Sequence, residues 1–337
     1  MGFKSLDAQD FVVSADSVQS TAWSTDVPTL TQFYTSSVQA GGSSGDYYLS
    51  VYQSDPATDS NAAVQFDIAY GNYLGSGSSY YNSLYPHLTP SSTTYGQYRT
   101  MILEDENAKF IYGGGNNSYI PEDFYALSIE RSRYKEKLFP STFNLQLTGP
   151  GGTIQLTNDS RSTQTSTFIG STRVYQVISG SNGMPYNTSG YIPGSGSFGL
   201  FFPEIRTILL NPDALSEAVA ISTLRSSGLT NGLNNQNFYK RIEAGGGFTL
   251  NAEETITSDY VFIRARNSEF NYSTNPSYIS GSTGELIYSE FINNPQVYLT
   301  TVGMYNDANE CVAVAKLSKP LLKDFTKEAL VRVKLDF

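Results

Sequence analysis

Ala329-Leu-Val-Arg-Val-Lys-Leu-Asp-Phe337 puts Leu330, Arg332, Lys334 and Asp336 on one side of an extended chain and Val331, Val333, Leu335 and Phe337 on the other. Successive side chains of a strand point to opposite faces, so this stretch predicts a strand with one apolar face, core-facing as far as Phe337. Val64-Gln-Phe-Asp-Ile-Ala69 repeats the pattern, with Val64, Phe66 and Ile68 opposed to Gln65 and Asp67. Clean alternation of this kind belongs to antiparallel sheets with one solvated face. Further strands are predicted at Phe33–Ser36, Tyr47–Tyr52, Thr100–Leu103, Lys109–Tyr112, Tyr125–Glu130, Thr142–Leu147, Thr153–Leu156 and Ser171–Val177. Toward the end they resume at Thr255–Arg266, Leu286–Phe291, Val297–Tyr305 and Glu310–Leu317. Gly113–Asn117, Gly149-Pro-Gly-Gly152 and the hairpin turn Asn306-Asp-Ala-Asn309 supply connections.

One stretch has helical spacing. Asn211 as N-cap, Pro212 at the first helical position, Leu215, Ala218, Val219 and Leu224 on one face, Arg225 late and Gly228 beyond predict a helix over 212–227. A second short turn is expected around Asn235–Arg241. The fold class expected is therefore mainly β, antiparallel sandwich-like sheets with one helix-bearing insertion. The organisation expected is an N-terminal β domain over 1–178, a Gly-rich loop and helical insertion over 179–245, and a C-terminal β region over 246–337. The loop is Ser179–Gly199.

Composition removes several function classes. The 337 residues carry 15% charged side chains, 25 Tyr and 19 Phe, a content that favours a folded chain with a substantial core over disorder. Cys311 and His87 are the only residues of their kinds, which leaves no disulfide framework, cysteine cluster or multi-histidine site within one chain. No metal or cofactor is expected. A net charge of −10 opposes general nucleic-acid binding, which needs a basic face. No segment approaches a membrane span. The start, Met-Gly-Phe-Lys-Ser-Leu-Asp, has no apolar h-region and puts Leu6 where a myristoylation motif needs Ser or Thr, so no signal peptide or anchor is expected. The Asn-x-Ser patterns at Asn116, Asn158, Asn187 and Asn271 then read as accidents of a Ser- and Asn-rich chain.

Candidate chemistry is thin. His87, between prolines, reads as a surface polar group. No Gly-x-Ser-x-Gly elbow and no P-loop are present. The acidic clusters Glu104-Asp-Glu106 and Glu253-Glu254 read as solvated charge, although glycoside hydrolysis needs only two carboxylates. Asp307-x-Asn309 lacks the further ligands of a calcium loop. No catalytic residue is assigned.

Two basic rows stand out. Arg131, Arg133, Lys135 and Lys137 recur at every second residue and would share one face of a strand. Lys316, Lys319, Lys323 and Lys327 form the second row. Each reads either as an aggregation-blocking edge or as an interface with an acidic partner. Tyr80, Tyr81, Tyr85, Tyr119, Tyr186, Tyr191 and Tyr278, set among small polar residues, suit protein contacts or stacking on sugars.

Leu30-Thr-Gln-Phe-Tyr-Thr-Ser-Ser-Val38, followed by a Gly/Ser loop and Asp46-Tyr-Tyr-Leu-Ser-Val-Tyr52, resembles the start of virion structural proteins of contractile-tailed, T-even-like cyanophages. Tyr98-Arg-Thr-Met-Ile-Leu103, the run Tyr125–Leu138, the run Asn294–Asp307, Val314-Ala-Lys-Leu-Ser-Lys-Pro320 and Arg332-Val-Lys-Leu-Asp-Phe337 are similar too. The likeness spans most of the chain and is strongest to baseplate wedge subunits. It implies a non-enzymatic protein of the virion tail, made in the host cytoplasm, that holds other baseplate or tail proteins and a second copy of itself. No nucleic acid or membrane partner is implied. The interface residues expected are Arg131, Arg133, Lys135, Lys137, Lys316, Lys319 and Lys323. The competing expectation is a glycan-binding or glycan-cleaving tail or fibre protein with Tyr-lined clefts and a carboxylate pair.

Overall fold

The computed structural model describes residues 3–36, 48–78, 81–114, 116, 118–162, 167–187, 190–225 and 233–336. The chain is mainly β. In order it forms β1 Phe11–Thr21, β2 Thr29–Leu30, β3 Tyr34–Thr35, β4 Tyr48–Tyr52, β5 Val64–Asn72, helix α1 Pro90–Leu103, β6 Asp123–Ile129, β7 Lys137–Gly149 and β8 Gly152–Asn158. There follow β9 Thr167–Ile169, β10 Thr172–Ser181, β11 Met184–Pro185, β12 Gly199–Phe202, β13 Thr207–Leu210, α2 Pro212–Val219 and α3 Asn234–Gly245. The chain ends with β14 Phe248–Ala265, α4 Glu290–Asn293, β15 Gln296–Tyr305, β16 Cys311–Asp324 and β17 Ala329–Asp336. Two compact units result, Val18–Glu254 and Met1–Ser17 with Thr255–Phe337.

In the larger unit the antiparallel strands run in the order β14-β7-β8-β10-β12-β13-β6-β5-β4-β3. A flat sheet would hold β14 and β5, seven places apart, about 33 Å from each other. The rings of Phe248 on β14 and Phe66 on β5 lie 5.4 Å apart, with Trp23 against both at 4.9 and 6.3 Å. The sheet is therefore folded over on itself, and its concave side is the main core. Leu145, Phe201, Ile208, Leu127 and Val51 face into it from β7, β12, β13, β6 and β4. Helix α3 packs one face into this core, with Phe238 stacked on Tyr125 at 4.4 Å.

A second apolar layer covers the other face of the central strands, where Tyr95 and Ile102 of α1 pack with Phe124, Leu200, Phe202 and Leu209. Every residue of β12 and β13 is buried as a result. The segment 179–245 thus carries α2 and α3 and also supplies two central strands. Ser179–Gly199 includes the end of β10 and the short pairing of Gly180 and Ser181 with Pro185 and Met184.

Local chemistry accounts for the helix ends. Asn211 caps α2, its side-chain oxygen accepting from the Asp213 and Ala214 backbone N–H groups, while its amide donates to the Ser195 and Ser197 carbonyls. The helix stops at Val219, earlier than 227, because Ala220 turns left-handed (φ 56°) and its N–H closes on Ser216. Gly228 lies outside the described residues. The turn expected at Asn235–Arg241 is a full helix, α3. Thr100–Leu103 is not a strand but the last turn of α1, which begins at Pro90 behind Thr89. Lys109–Tyr112 makes only a bridge from Tyr112 to Tyr119, and Leu286–Phe291 only a bridge from Leu286 to Ile279 before α4. Gln65 is not solvated: its amide donates to Ser24, Gln53 and Ala63 under the Trp23 segment. Phe337 lies outside the described residues.

In the smaller unit Ser258–Ala265 of β14 pair with Asp336–Ala329 of β17, and β15–β16 form a separate two-stranded ribbon. Val261, Val331 and Val333 are its buried centre.

Phe248→Ala removes the ring on which the fold-over closes. The expected loss is about 3–5 kcal/mol, read as a lower urea midpoint by the fluorescence of Trp23.

Candidate functional site

The ribbon is built by its turn. Asn306 and Glu310 bind each other reciprocally: the Glu310 N–H donates to Asn306 Oδ1 and the Asn306 amide donates to Glu310 Oε2, both at 2.8 Å. Asn309 takes the left-handed position (φ 60°) that Asn tolerates. Alternation then divides the ribbon into two faces. Val302, Met304, Ala315 and Leu317 turn inward and pack on Val261, Val331 and Val333. Val312 (64% exposed) and Val314 (65%) turn outward with Tyr305 and Lys316. Tyr298 is also exposed.

The outward face is ordered rather than ragged. Gly303 stands opposite Val314, and a Cβ there would sit 3.0 Å from Cε2 of Tyr305, so the Tyr305 ring lies over the glycine. Phe3 meets that ring edge-on at 5.3 Å. Among the described residues, about half of the exposed large hydrophobic side chains lie in this unit, which holds under a third of the chain.

The two lysine rows fare differently. Lys316 and Lys319 are exposed on β16, with Lys316 opposite Thr301, and neither makes an ion pair among the described residues. Lys323 is not a surface cation. It is fully buried, and its ammonium donates to the Asn267 carbonyl (3.0 Å), Asn271 Oδ1 (2.7 Å) and the Asp324 carbonyl (2.8 Å). It ties the loop after β14 to the ribbon.

Arg131 to Lys137 do not share one strand face. Arg131–Arg133 form a 3-10 turn, and β7 begins only at Lys137. Arg131 donates to the Tyr134 carbonyl and lies over its ring, while Arg133 holds Ser132. Lys135 and Lys137 pair with Glu254 (2.6 Å) and Glu253 (3.5 Å), the acidic doublet that read as solvated charge. Arg131 remains exposed and Arg133 is half-buried.

An ionic hub around the buried Asp123 has no counterpart in the sequence reading. The Arg225 guanidinium grips Asp123 through Nε and Nη2 at 2.6 and 2.8 Å and reaches Asp213 through Nη1 at 2.7 Å. Tyr70 donates to Asp123 and Tyr119 to Asp213, both at 2.8 Å. Burial raises the Asp123 pKa, with Arg225 pulling the other way. The Asp123 side chain is wholly inaccessible and one guanidinium occupies both carboxylates, so the hub fastens the segment after α2 to β6 and offers no acid or base to a substrate.

A groove of about 510 Å³ in the smaller unit is lined by Tyr272, Tyr278, Leu286, Phe291 and Ile292 among others, none of them acidic. Tyr278 is buried and stacked on Phe291 at 4.6 Å, contrary to its reading as an exposed aromatic. Tyr85 and Tyr186 are exposed; Tyr81, Tyr119 and Tyr191 are half-buried; Tyr80 lies outside the described residues. His87 is exposed in a 3-10 turn. Among the described residues no cluster of His, Cys, Asp or Glu could hold a metal ion, and no helix is long and apolar enough to cross a membrane. No protein-family model, curated protein or solved structure matches the chain.

Lys323→Ala removes a buried ammonium and its three acceptors' shared donor and is expected to cost about 3 kcal/mol, seen as faster hydrogen exchange along β15 and β16. A second expectation concerns acid. Asp324, bound by Thr326, and Asp336, bound by Lys334 and Ser258, are held below the usual carboxylate range. Their contribution is complete above the ordinary carboxylate pKa and lost as pH falls through the lowered one. Burial raises Asp67 and Asp123, whose contribution has the opposite sign. As pH falls below about 4, pepsin should cut the smaller unit before the larger. Earlier cutting of the larger unit would contradict this account.

Proposed function

We propose that the protein is a structural subunit that works through protein–protein interfaces and, on the segment resemblance, that its assembly is the baseplate of a contractile phage tail. The observation that carries this reading is the outward face of the ribbon, where Val312, Val314 and Tyr305 lie together and are left to water. Free-standing proteins seldom leave contiguous apolar surface of this kind uncovered. The saturated Asp123–Arg225–Asp213 hub and the acid-free lining of the groove support a non-enzymatic role. A second reading, a glycan-binding tail or fibre protein, draws on that groove, where exposed Tyr272 offers a ring for stacking.

In a phage that carries this gene, gold-labelled antibody against the purified chain should decorate the tail end remote from the head. Particles without label would overturn the reading, and label confined to fibre tips would favour the glycan alternative. Val312→Asp with Val314→Asp should alter chain stability by no more than about 0.5 kcal/mol and yet give particles lacking the protein. Arg131→Glu with Arg133→Glu tests the part of the first basic row that forms no ion pair among the described residues, in the same assay.

A further inference from the structure

The two edges of the ribbon are not alike. β16 carries Lys316, Lys319 and Pro320, and its register breaks there: Leu299 pairs with Leu321 and Thr301 with Lys316, so five residues of β16 are spanned by two of β15. Lysines, proline and bulges are the devices that keep an edge strand from pairing further. β15, Gln-Val-Tyr-Leu-Thr-Thr-Val-Gly-Met-Tyr, has none of them, neither charge nor proline. Among the described strands only β16 pairs with it. The other long edge strands are charged, β1 by Asp16 and β17 by Arg332, Lys334 and Asp336.

Charge on the ribbon says what would fit beside β15. Lys316 projects from the outward face opposite the small side chain of Thr301, and Gly303 lies two residues on. An added strand would lie two spacings from β16, about 10 Å, with the small Thr301 between its own outward side chains and Lys316, next to the Tyr305 ring that covers Gly303. Acidic side chains on that strand would meet Lys316, with the exposed Lys319 in the neighbouring register break adding positive charge; basic ones would be repelled.

We propose that the open edge of β15 receives a strand donated by another protein, an extended segment bearing acidic side chains on the face it shares with Lys316, beside the exposed Lys319. Backbone hydrogen bonds would supply affinity and the lysines selectivity, as in other strand-addition complexes. This rests on the assembly reading and specifies how one partner is held.

The test uses the full chain and three synthetic strands about ten residues long, alternating Val and Thr with Glu, Ser or Lys at the outward positions. Hydrogen exchange and fluorescence anisotropy report binding. The Glu strand should slow exchange within Gln296–Tyr305 and bind about three- to tenfold tighter than the Ser strand, with the Lys strand weakest. Lys316→Glu with Lys319→Glu should invert that order. Three results would overturn the proposal: no slowing in β15 with any strand, equal binding of all three, or slowing that grows with protein concentration alone, which would put a second copy on the edge. Failure here with tail labelling intact sinks this inference and spares the assembly reading. Strand binding by a protein absent from virions does the reverse.

Discussion

The contact between Phe66 and Phe248 is the constraint on which the larger unit depends. It joins strands that lie seven places apart in one sheet, and it does so only if the sheet turns back on itself. The fold-over creates the concave side that Phe238 and Ile242 of α3 fill. With α1 laid on the convex side, the central strands acquire two covered faces. Close-packed interiors of this kind resist small changes, and little of this unit is free to change shape or partner without loss of the core.

This explains which parts were legible in the sequence. β17 was, because one face is solvated and the residues alternate as far as the described chain extends. So was the turn at Asn306–Asn309, whose polar residues close on themselves, and the cap at Asn211. Gly199-Leu-Phe-Phe202 and Thr207-Ile-Leu-Leu210 were not, because strands covered on both faces lose their alternation and become short apolar runs. Val64–Ala69 was recognised as a strand but misjudged at Gln65, where a second layer, not water, satisfies the amide. The apolar run at the end of α1 imitates a strand, and only packing against Phe124 decides for the helix.

The site residues divide in the same way. Lys316 and Lys319 are exposed where a lysine row on an edge strand should be. Lys323 continues the row in sequence, yet the loop Asn267–Asn271 folds over it and turns a surface cation into a structural tie. Arg131 to Lys137 look like one strand face until the 3-10 turn rotates the first half away and Glu253 and Glu254 engage the second. Asp123 and Arg225 are 102 positions apart, and nothing local in either neighbourhood announces the other. Rows and spacings predict the direction of a side chain, whereas the partner it meets depends on chain segments that no local pattern contains.

The ribbon then acquires its meaning from what it lacks. A two-stranded ribbon is marginal by itself, and here one face is covered by a small centre of three valines while the other is open. A protein under selection only for solubility would defend both edges and make the outward face polar. This one defends β16 with lysines and proline and leaves β15 bare. The chain's net charge of −10 repels other acidic proteins at long range, but screening confines that repulsion to about 8 Å at physiological salt. Within that distance Lys316 and Lys319 set the local sign. An acidic strand would thus be discouraged from approaching most of the surface and favoured at one edge, which is how a strongly acidic subunit could choose its orientation within an assembly.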